Sequence, residues 1–109
     1  MDQSKVAEPL RSKFRGDAEM TELVQEFVQE LPSRINSLGG FLRAAQFDEL
    51  RRAAHQLKGA AGGYGFPTIS DSAAKVENLL KSALDQSQLD AVNREVQELV
   101  DLCRRATAE

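Results

Sequence analysis

Residues 47–65 read FDELRRAAHQLKGAAGGYG, and the spacing of the apolar residues in this stretch predicts an amphipathic helix. These residues recur at intervals of four and three, which places them on one face of a helix. They are Leu50, Ala54, Leu57, Ala61 and Tyr64. Gly65 is a favourable residue for ending the helix. We therefore expect a helix from about Phe47 to Gly63 that buries one face.

Three further stretches show the same spacing and predict three more helices. The stretch before Phe47 begins after Asp17, an expected N-cap, and carries Leu23, Phe27, Leu31, Ile35, Leu38, Leu42 and Ala45. Thr68 with Asp71, and Ser87 with Asp90, have the spacing of a capping box and predict the starts of the other two helices. Four amphipathic helices with short connections predict an all-α fold, an antiparallel up-down-up-down four-helix bundle.

The N-terminal stretch predicts a short additional helix. Val6, Leu10 and Phe14 are four residues apart, and Gly16 follows as a stop signal. We expect this helix to cover one end of the bundle.

Length and composition limit the class of protein. A chain of 109 residues has room for one core, so we expect a single domain over residues 1–109. Hydrophobic residues make up 41% and charged residues 28%, which is typical of a soluble globular protein. No apolar run approaches the roughly 20 residues of a membrane span, and the stretch from Met1 to Lys5 lacks the apolar segment of a signal peptide. The expected location is the cytoplasm.

Charge and metal-ligand counts exclude several functions. The formal net charge of -3 disfavours general binding to nucleic acid or to anionic membranes. One cysteine, Cys103, and one histidine cannot form a disulfide framework or the usual zinc site. The chain has no Walker-type glycine loop and no cluster of carboxylates around a candidate metal site. We therefore expect no cofactor and no metal on this chain.

The single histidine, His55, lies on the solvent side of the predicted helix, about 140° from the centre of the apolar face. Gly59 and Gly62 share its side, although glycine destabilises a helix interior. A lone exposed histidine is usually an ordinary surface residue, but these two glycines leave a surface that another protein could approach closely. Lys58 lies one turn away and could offset negative charge at the ring. Arg51 and Arg52 flank it, or simply form a solvated face.

The run from His55 to Gly65 resembles the signature of histidine-containing phosphotransfer (HPt) domains: His-x-Leu-Lys-Gly, then small residues, then Gly. The resemblance extends over nearly the whole chain, because Phe27–Leu38 and Val76–Leu80 are similar to the family's second and fourth helices. It implies that His55 carries a phosphoryl group on Nε2. It also implies that Glu77 accepts a hydrogen bond from Nδ1 of His55.

The position of Glu77 on its predicted helix is compatible with that role. Glu77 lies roughly 80° from the centre of the apolar face, so we expect its carboxylate to reach a neighbouring exposed face without being buried. By residue pattern alone, Glu77 is also consistent with an ordinary carboxylate at the edge of the core. The predicted site thus has His55 as phosphoacceptor, with Lys58 and Glu77 in support. The predicted partner-docking residues are Gly59, Gly62, Arg51, Arg52 and Gln56.

The function predicted from these features is that of a phosphorelay intermediate. His55 would take phosphoryl from the aspartate of one receiver domain and pass it to another receiver, without acting as an enzyme on its own. The expected partners are response-regulator receiver domains, which bring Mg²⁺, and a histidine kinase, hybrid or not. The carrier itself is expected to be a monomer.

Three alternatives remain open at this point. The chain could be the phosphoacceptor domain of a chemotaxis-type histidine kinase, which a larger parent protein would reveal. It could be a noncatalytic helical adaptor with a degenerate site. An independent enzyme is the third, disfavoured because a single histidine has no triad partners.

Overall fold

The structure, a computed structural model, describes residues 8–109. Four helices account for most of them: α1 (Thr21–Arg43), α2 (Phe47–Gly63), α3 (Pro67–Leu79) and α4 (Gln86–Arg105). Two short strands, β1 (Leu10–Arg11) and β2 (Ala106–Thr107), lie at either end of this range. The predicted all-α class with four helices is confirmed, and α2 has the predicted bounds.

The helices pack as a closed ring around one core. Along the chain each helix packs against the next, and α1 also contacts α4. All four contribute fully buried side chains, among them Phe27, Leu57, Ile69 and Leu99. The up-down-up-down direction of the whole bundle stays a prediction. No helix of residues 8–109 has the length and apolar character needed to cross a membrane.

The predicted apolar face of α1 is wrong at both ends. Leu23 is 42% exposed, and Val24, three residues before the buried Phe27, takes its place in the core. Ala45 is exposed because α1 has ended at Arg43 and the chain turns there, with Ala45 at a φ of 56°.

Three helices begin at residues other than those predicted. Asp17 caps a turn, accepting from the Glu19 amide at 2.9 Å, and α1 starts later, at Thr21. Helix α3 starts at Pro67 instead of using Thr68 and Asp71, because proline fixes a helical φ and needs no partner for the missing N–H. These sites show that a local side-chain signal competes with other ways of starting a helix.

The capping box of α4 lies two residues before the predicted one. Asp85 accepts from the Gln88 amide at 2.9 Å, and the Gln88 side chain accepts from the Asp85 amide at 3.1 Å. The box predicted from Ser87 and Asp90 is therefore wrong. Asp85 and Gln88 are also three residues apart, as a capping box requires. Their two side chains bond to backbone N–H groups at the start of α4.

The predicted N-terminal helix is wrong for the residues that the structure describes. Leu10 and Arg11 form β1, which pairs in parallel with Ala106 and Thr107 of β2. Pro9 has no N–H and favours an extended conformation at the residue before it, so a helix through Leu10 is disfavoured. Val6, the first residue of the predicted helix, lies outside the described residues.

Leu10–Phe14, hereafter the N-terminal segment, packs on the turn between α2 and α3. The Ser12 hydroxyl donates to the Tyr64 carbonyl at 2.7 Å, and the Lys13 amide donates to the Gly65 carbonyl at 2.9 Å. Gly65 has a φ of 88°, and a Cβ there would lie 2.5 Å from the Ser12 hydroxyl oxygen. Only glycine permits both this backbone conformation and this close approach. The segment thus holds the C-terminal end of α2.

Candidate functional site

His55 lies on the solvent side of α2, with 63% of its side chain exposed. Its Nδ1 is 2.8 Å from Oε2 of Glu77 on α3. An ionised carboxylate can only accept, so the Nδ1 nitrogen carries the hydrogen of this bond. A neutral imidazole then has its lone pair on Nε2. The free lone pair of this largely exposed ring therefore lies on the nitrogen that does not contact Glu77.

Glu77 is buried, so the expectation that its carboxylate stays unburied is wrong. Its side chain is 7% exposed, and both oxygens have partners: Oε1 accepts from Lys58 Nζ at 2.8 Å and Oε2 from His55 Nδ1 at 2.8 Å. The helical wheel placed Glu77 at the edge of the core, but the side chains of His55 and Lys58 on α2 cover that edge. The contact between Glu77 and Nδ1 is the one that the family resemblance implies.

Lys58 keeps the buried carboxylate ionised. Its hydrogen bond is the main reason that the pKa of the Glu77 carboxyl is lowered. Burial acts in the opposite direction, and the bond from His55 lowers the pKa further. The carboxylate therefore stays charged at neutral pH as an acceptor for Nδ1. Lys58 was predicted to offset charge at the ring itself, and in the structure its ammonium group lies on Glu77.

A shallow depression of about 220 Å³ surrounds the imidazole. Its lining consists of Arg51, Arg52, His55, Gln56 and Glu77. The structure therefore brings together three of the predicted docking residues. The Arg52 guanidinium lies 3.1 Å from Glu49, so part of its charge is already paired.

The two glycines predicted for docking have different surroundings. At Gly59 an added Cβ would meet no described atom within 4 Å, so this part of α2 is open to a partner. At Gly62 an added Cβ would lie 3.4 Å from the Ser70 hydroxyl oxygen. Gly62 therefore lies next to α3, whereas Gly59 does not.

Ser70 is a residue near the site that the sequence did not indicate. Its hydroxyl donates to the backbone carbonyl of Lys58 at 2.8 Å and so connects α3 to α2. No motif marks such a contact, because serine is common near helix starts for local capping reasons.

Other reactive groups lie apart from this site. Cys103 is buried in the core, and burial raises the pKa of its thiol to about 12. A thiol in this state is a poor nucleophile. Within residues 8–109, no three side chains of histidine, cysteine, aspartate or glutamate are grouped to hold a metal ion.

Comparison with known protein families gives a match over most of the chain. The family model described as Hpt domain matches residues 22–108, which include all four helices and His55. Curated proteins and solved structures give no significant match.

Proposed function

Because the chain belongs to the Hpt domain family, we propose that it is a phosphorelay carrier that holds phosphoryl on His55. Hpt domains take part in histidine phosphotransfer within phosphorelays. The proposal adds that His55 is the residue that carries phosphoryl and that receiver domains are the donor and the acceptor. An aspartyl phosphate of one receiver domain gives phosphoryl to His55, and a second receiver takes it.

The observation that supports this proposal is the bond between Nδ1 and Glu77, at 2.8 Å on a ring that is largely exposed. In the first step the Nε2 lone pair attacks phosphorus, the bond from phosphorus to the aspartyl oxygen breaks, and the aspartate leaves as a carboxylate. In the second step an aspartate oxygen of the acceptor attacks phosphorus and the N–P bond breaks. Glu77 holds the ring orientation in both steps.

Partner domains supply what this chain lacks. Receivers would bring Mg²⁺ and an acidic pocket, while Arg51, Arg52 and Gln56 form the surface around the histidine on which a receiver docks. The proposed carrier is a monomer that works in the cytoplasm with receiver domains and a hybrid histidine kinase.

The test is phosphoryl transfer from isolated phosphorylated receivers. Wild-type protein should gain phosphate that is labile in acid and stable in base, as expected for phosphohistidine. His55→Gln should keep the helical circular dichroism spectrum, because the position is exposed, and should gain no phosphate. Persistent labelling of that variant would contradict the assignment of His55.

Three further measurements separate the alternatives. Wild-type protein with ATP and Mg²⁺ alone should stay unphosphorylated; labelling would reveal a nucleotide site and favour an independent enzyme. A kinase domain that labels His55 from ATP when no receiver does would favour a chemotaxis-type phosphoacceptor domain. Binding to receivers without any labelling would favour a noncatalytic adaptor.

A further inference from the structure

We propose that Ser70 is a positioning residue that sets the hydrogen bond between His55 and Glu77 through the backbone of Lys58. The role in transfer rests on the proposed function, whereas the effect on the imidazole can be measured without it. The starting observation is the 2.8 Å bond from the Ser70 hydroxyl to the Lys58 carbonyl.

Ser70 and Glu77 lie on the same face of α3, because residues seven apart are nearly two full turns apart. His55, Lys58 and Gly62 have the matching spacing on α2. Gly62, near the end of α2, faces Ser70, near the start of α3, and His55, in the middle of α2, bonds to Glu77, near the end of α3. Ser70 therefore lies about two turns before Glu77, in the same row of contacts between the two helices.

Three side-chain hydrogen bonds join α2 to α3 within residues 8–109. Two end on Glu77, one from Lys58 and one from His55, and the third is the bond from Ser70. The two that end on Glu77 join one side chain to another. The bond from Ser70 is the one that holds the α2 backbone itself, so it limits how far the two helices can separate beside the imidazole.

Gly62 lies beside the bond from Ser70. Its N–H is the intrahelical partner of the Lys58 carbonyl, which lies four residues earlier. The Ser70 hydroxyl donates to the same carbonyl, and an added Cβ at Gly62 would lie 3.4 Å from the hydroxyl oxygen. A carbonyl oxygen has two lone pairs and can accept both bonds.

The bond that Nδ1 makes fixes the tautomer of His55. If α2 moves away from α3, the bond from Nδ1 to Glu77 forms less often. A larger share of the neutral rings then carries hydrogen on Nε2, where it blocks the lone pair. Loss of the Ser70 hydroxyl should therefore change the tautomer of His55, although Ser70 does not contact the ring.

Ser72 provides a matched control on the same helix. It is 5% exposed, and its hydroxyl has no hydrogen-bond partner within residues 8–109. Ser72→Ala thus removes the same atom as Ser70→Ala, from a buried position of α3, without breaking a bond. Ser70→Thr is the rescue variant, because threonine keeps the hydroxyl.

The experiment measures the ¹⁵N chemical shifts of the imidazole in alkaline buffer, where imidazoles are neutral. Wild type, Ser72→Ala and Ser70→Thr should show the unprotonated shift at Nε2. Ser70→Ala should show an Nε2 shift displaced toward the protonated value and an Nδ1 shift displaced the opposite way. The rate of phosphoryl acceptance should fall about three- to tenfold in Ser70→Ala only.

Wild-type shifts in Ser70→Ala would overturn the proposal. Equal displacements in Ser70→Ala and Ser72→Ala would also overturn it, because they would show a general effect of packing. If wild-type protein accepts no phosphoryl from any receiver, the proposed function fails while the ¹⁵N comparison still decides the role of Ser70.

Discussion

At the scale of single residues, Glu77 is the most constrained group of the site. Burying a carboxylate is costly unless hydrogen bonds compensate, and here Lys58 and His55 donate one bond to each oxygen. The ammonium group keeps the carboxylate charged, and the charged carboxylate holds the ring. Three side chains therefore act as one unit, with Lys58 acting on His55 through Glu77.

The first prediction compares two substitutions of Glu77. Glu77→Gln keeps a carbonyl oxygen that can accept from Nδ1, and the partly exposed Lys58 can turn toward solvent. Glu77→Ala removes the acceptor. Phosphoryl acceptance should therefore slow by about tenfold or more in Glu77→Ala and by clearly less in Glu77→Gln. Stopped-flow transfer from a phosphorylated receiver measures both rates, and equal rates in wild type and Glu77→Ala would show that the contact does not matter for transfer.

The second prediction concerns pH and Lys58. Because the pKa of Glu77 is below its ordinary value of 4.5 in the folded protein, its ionised form contributes stability above that value. This contribution is lost as the pH falls through the lowered pKa. Lys58→Met removes the main cause of the lowered pKa of Glu77. It should therefore destabilise the protein at neutral pH by about 1–2 kcal/mol. The loss is modest because Lys58 is partly exposed.

Urea denaturation at several pH values checks this prediction. The difference between wild type and Lys58→Met should be largest near neutral pH and should shrink in acid, once Glu77 is protonated in both proteins. Lys75→Met is the control, since Lys75 is an exposed lysine on α3 without an ion pair in residues 8–109. A difference that stays constant across pH would show that Lys58 stabilises the fold by packing alone.

The sequence predicted the chemical groups of the site better than their environment. The signature around His55 and the spacing to Glu77 identified two groups that lie within hydrogen-bond distance. A helical wheel of α3 alone could not show that Glu77 is buried, because its burial depends on which side chains of α2 cover it. Ser70 was missed for the same reason, since its partner is a backbone carbonyl of another helix.

At the scale of elements, α2 combines a buried apolar face with an open face around the histidine. Leu50, Ala54, Leu57 and Ala61 are buried, while His55 and Gly59 are exposed. A glycine at an exposed position inside a helix lowers stability, so we expect Gly59 to serve access by a partner.

The third prediction tests this with Gly59→Gln. An added side chain enters open space, so the free energy of unfolding should stay equal or rise by up to about 1 kcal/mol. Transfer from a receiver should fall, because the side chain occupies the surface one turn from His55. Thermal unfolding and the transfer rate are measured on the same variant.

Gly40→Gln is the control for this prediction. Gly40 is a helical glycine of α1, also with open space at its Cβ position, and it does not line the depression around His55. The control should gain similar stability and transfer at the wild-type rate. Wild-type transfer in Gly59→Gln would show that the partner does not approach over Gly59.

Helix interiors were easier to predict than helix ends. The apolar spacing found all four helices, since each buries one face over three or more turns. The end of a helix depends on one or two hydrogen bonds, and several nearby residues can start the helix. Pro67 begins α3 without a side-chain cap, and Asp85 caps α4 in place of Ser87. The N-terminal helix was predicted from three apolar residues at a spacing of four, and Pro9, which lies between the first two, disfavours that helix.

At the scale of the whole molecule, the N-terminal segment connects distant parts of the chain. It pairs with β2 after α4, and it bonds to the turn that follows α2. The Arg105 side chain also donates to the Glu8 carbonyl at 2.8 Å. The segment therefore contributes to the stability of the entire bundle, although it lies outside the ring of helices.

The fourth prediction measures that contribution with two glycine substitutions. Gly65 and Gly16 both have a φ near 90°, but an added Cβ would clash with Ser12 and Phe14 only at Gly65. Gly16→Ala should cost about 1 kcal/mol of stability through backbone strain. Gly65→Ala should cost more, about 2–4 kcal/mol, because the segment must also move. Equal losses in thermal unfolding would show that the packing of the segment on Gly65 adds nothing.

The parallel pairing of β1 with β2 also determines how the molecule bears mechanical load. Tension applied at the two ends of the described chain would pull Leu10 toward its N-terminal side and Thr107 toward its C-terminal side. Since the strands run in the same direction, they would be dragged past each other along their length, and their hydrogen bonds would be loaded together. Antiparallel strands pulled from one shared end open one bond at a time. In a domain tethered at both ends, the pair of β1 and β2 would therefore bear the tension before the force reaches the helices around His55.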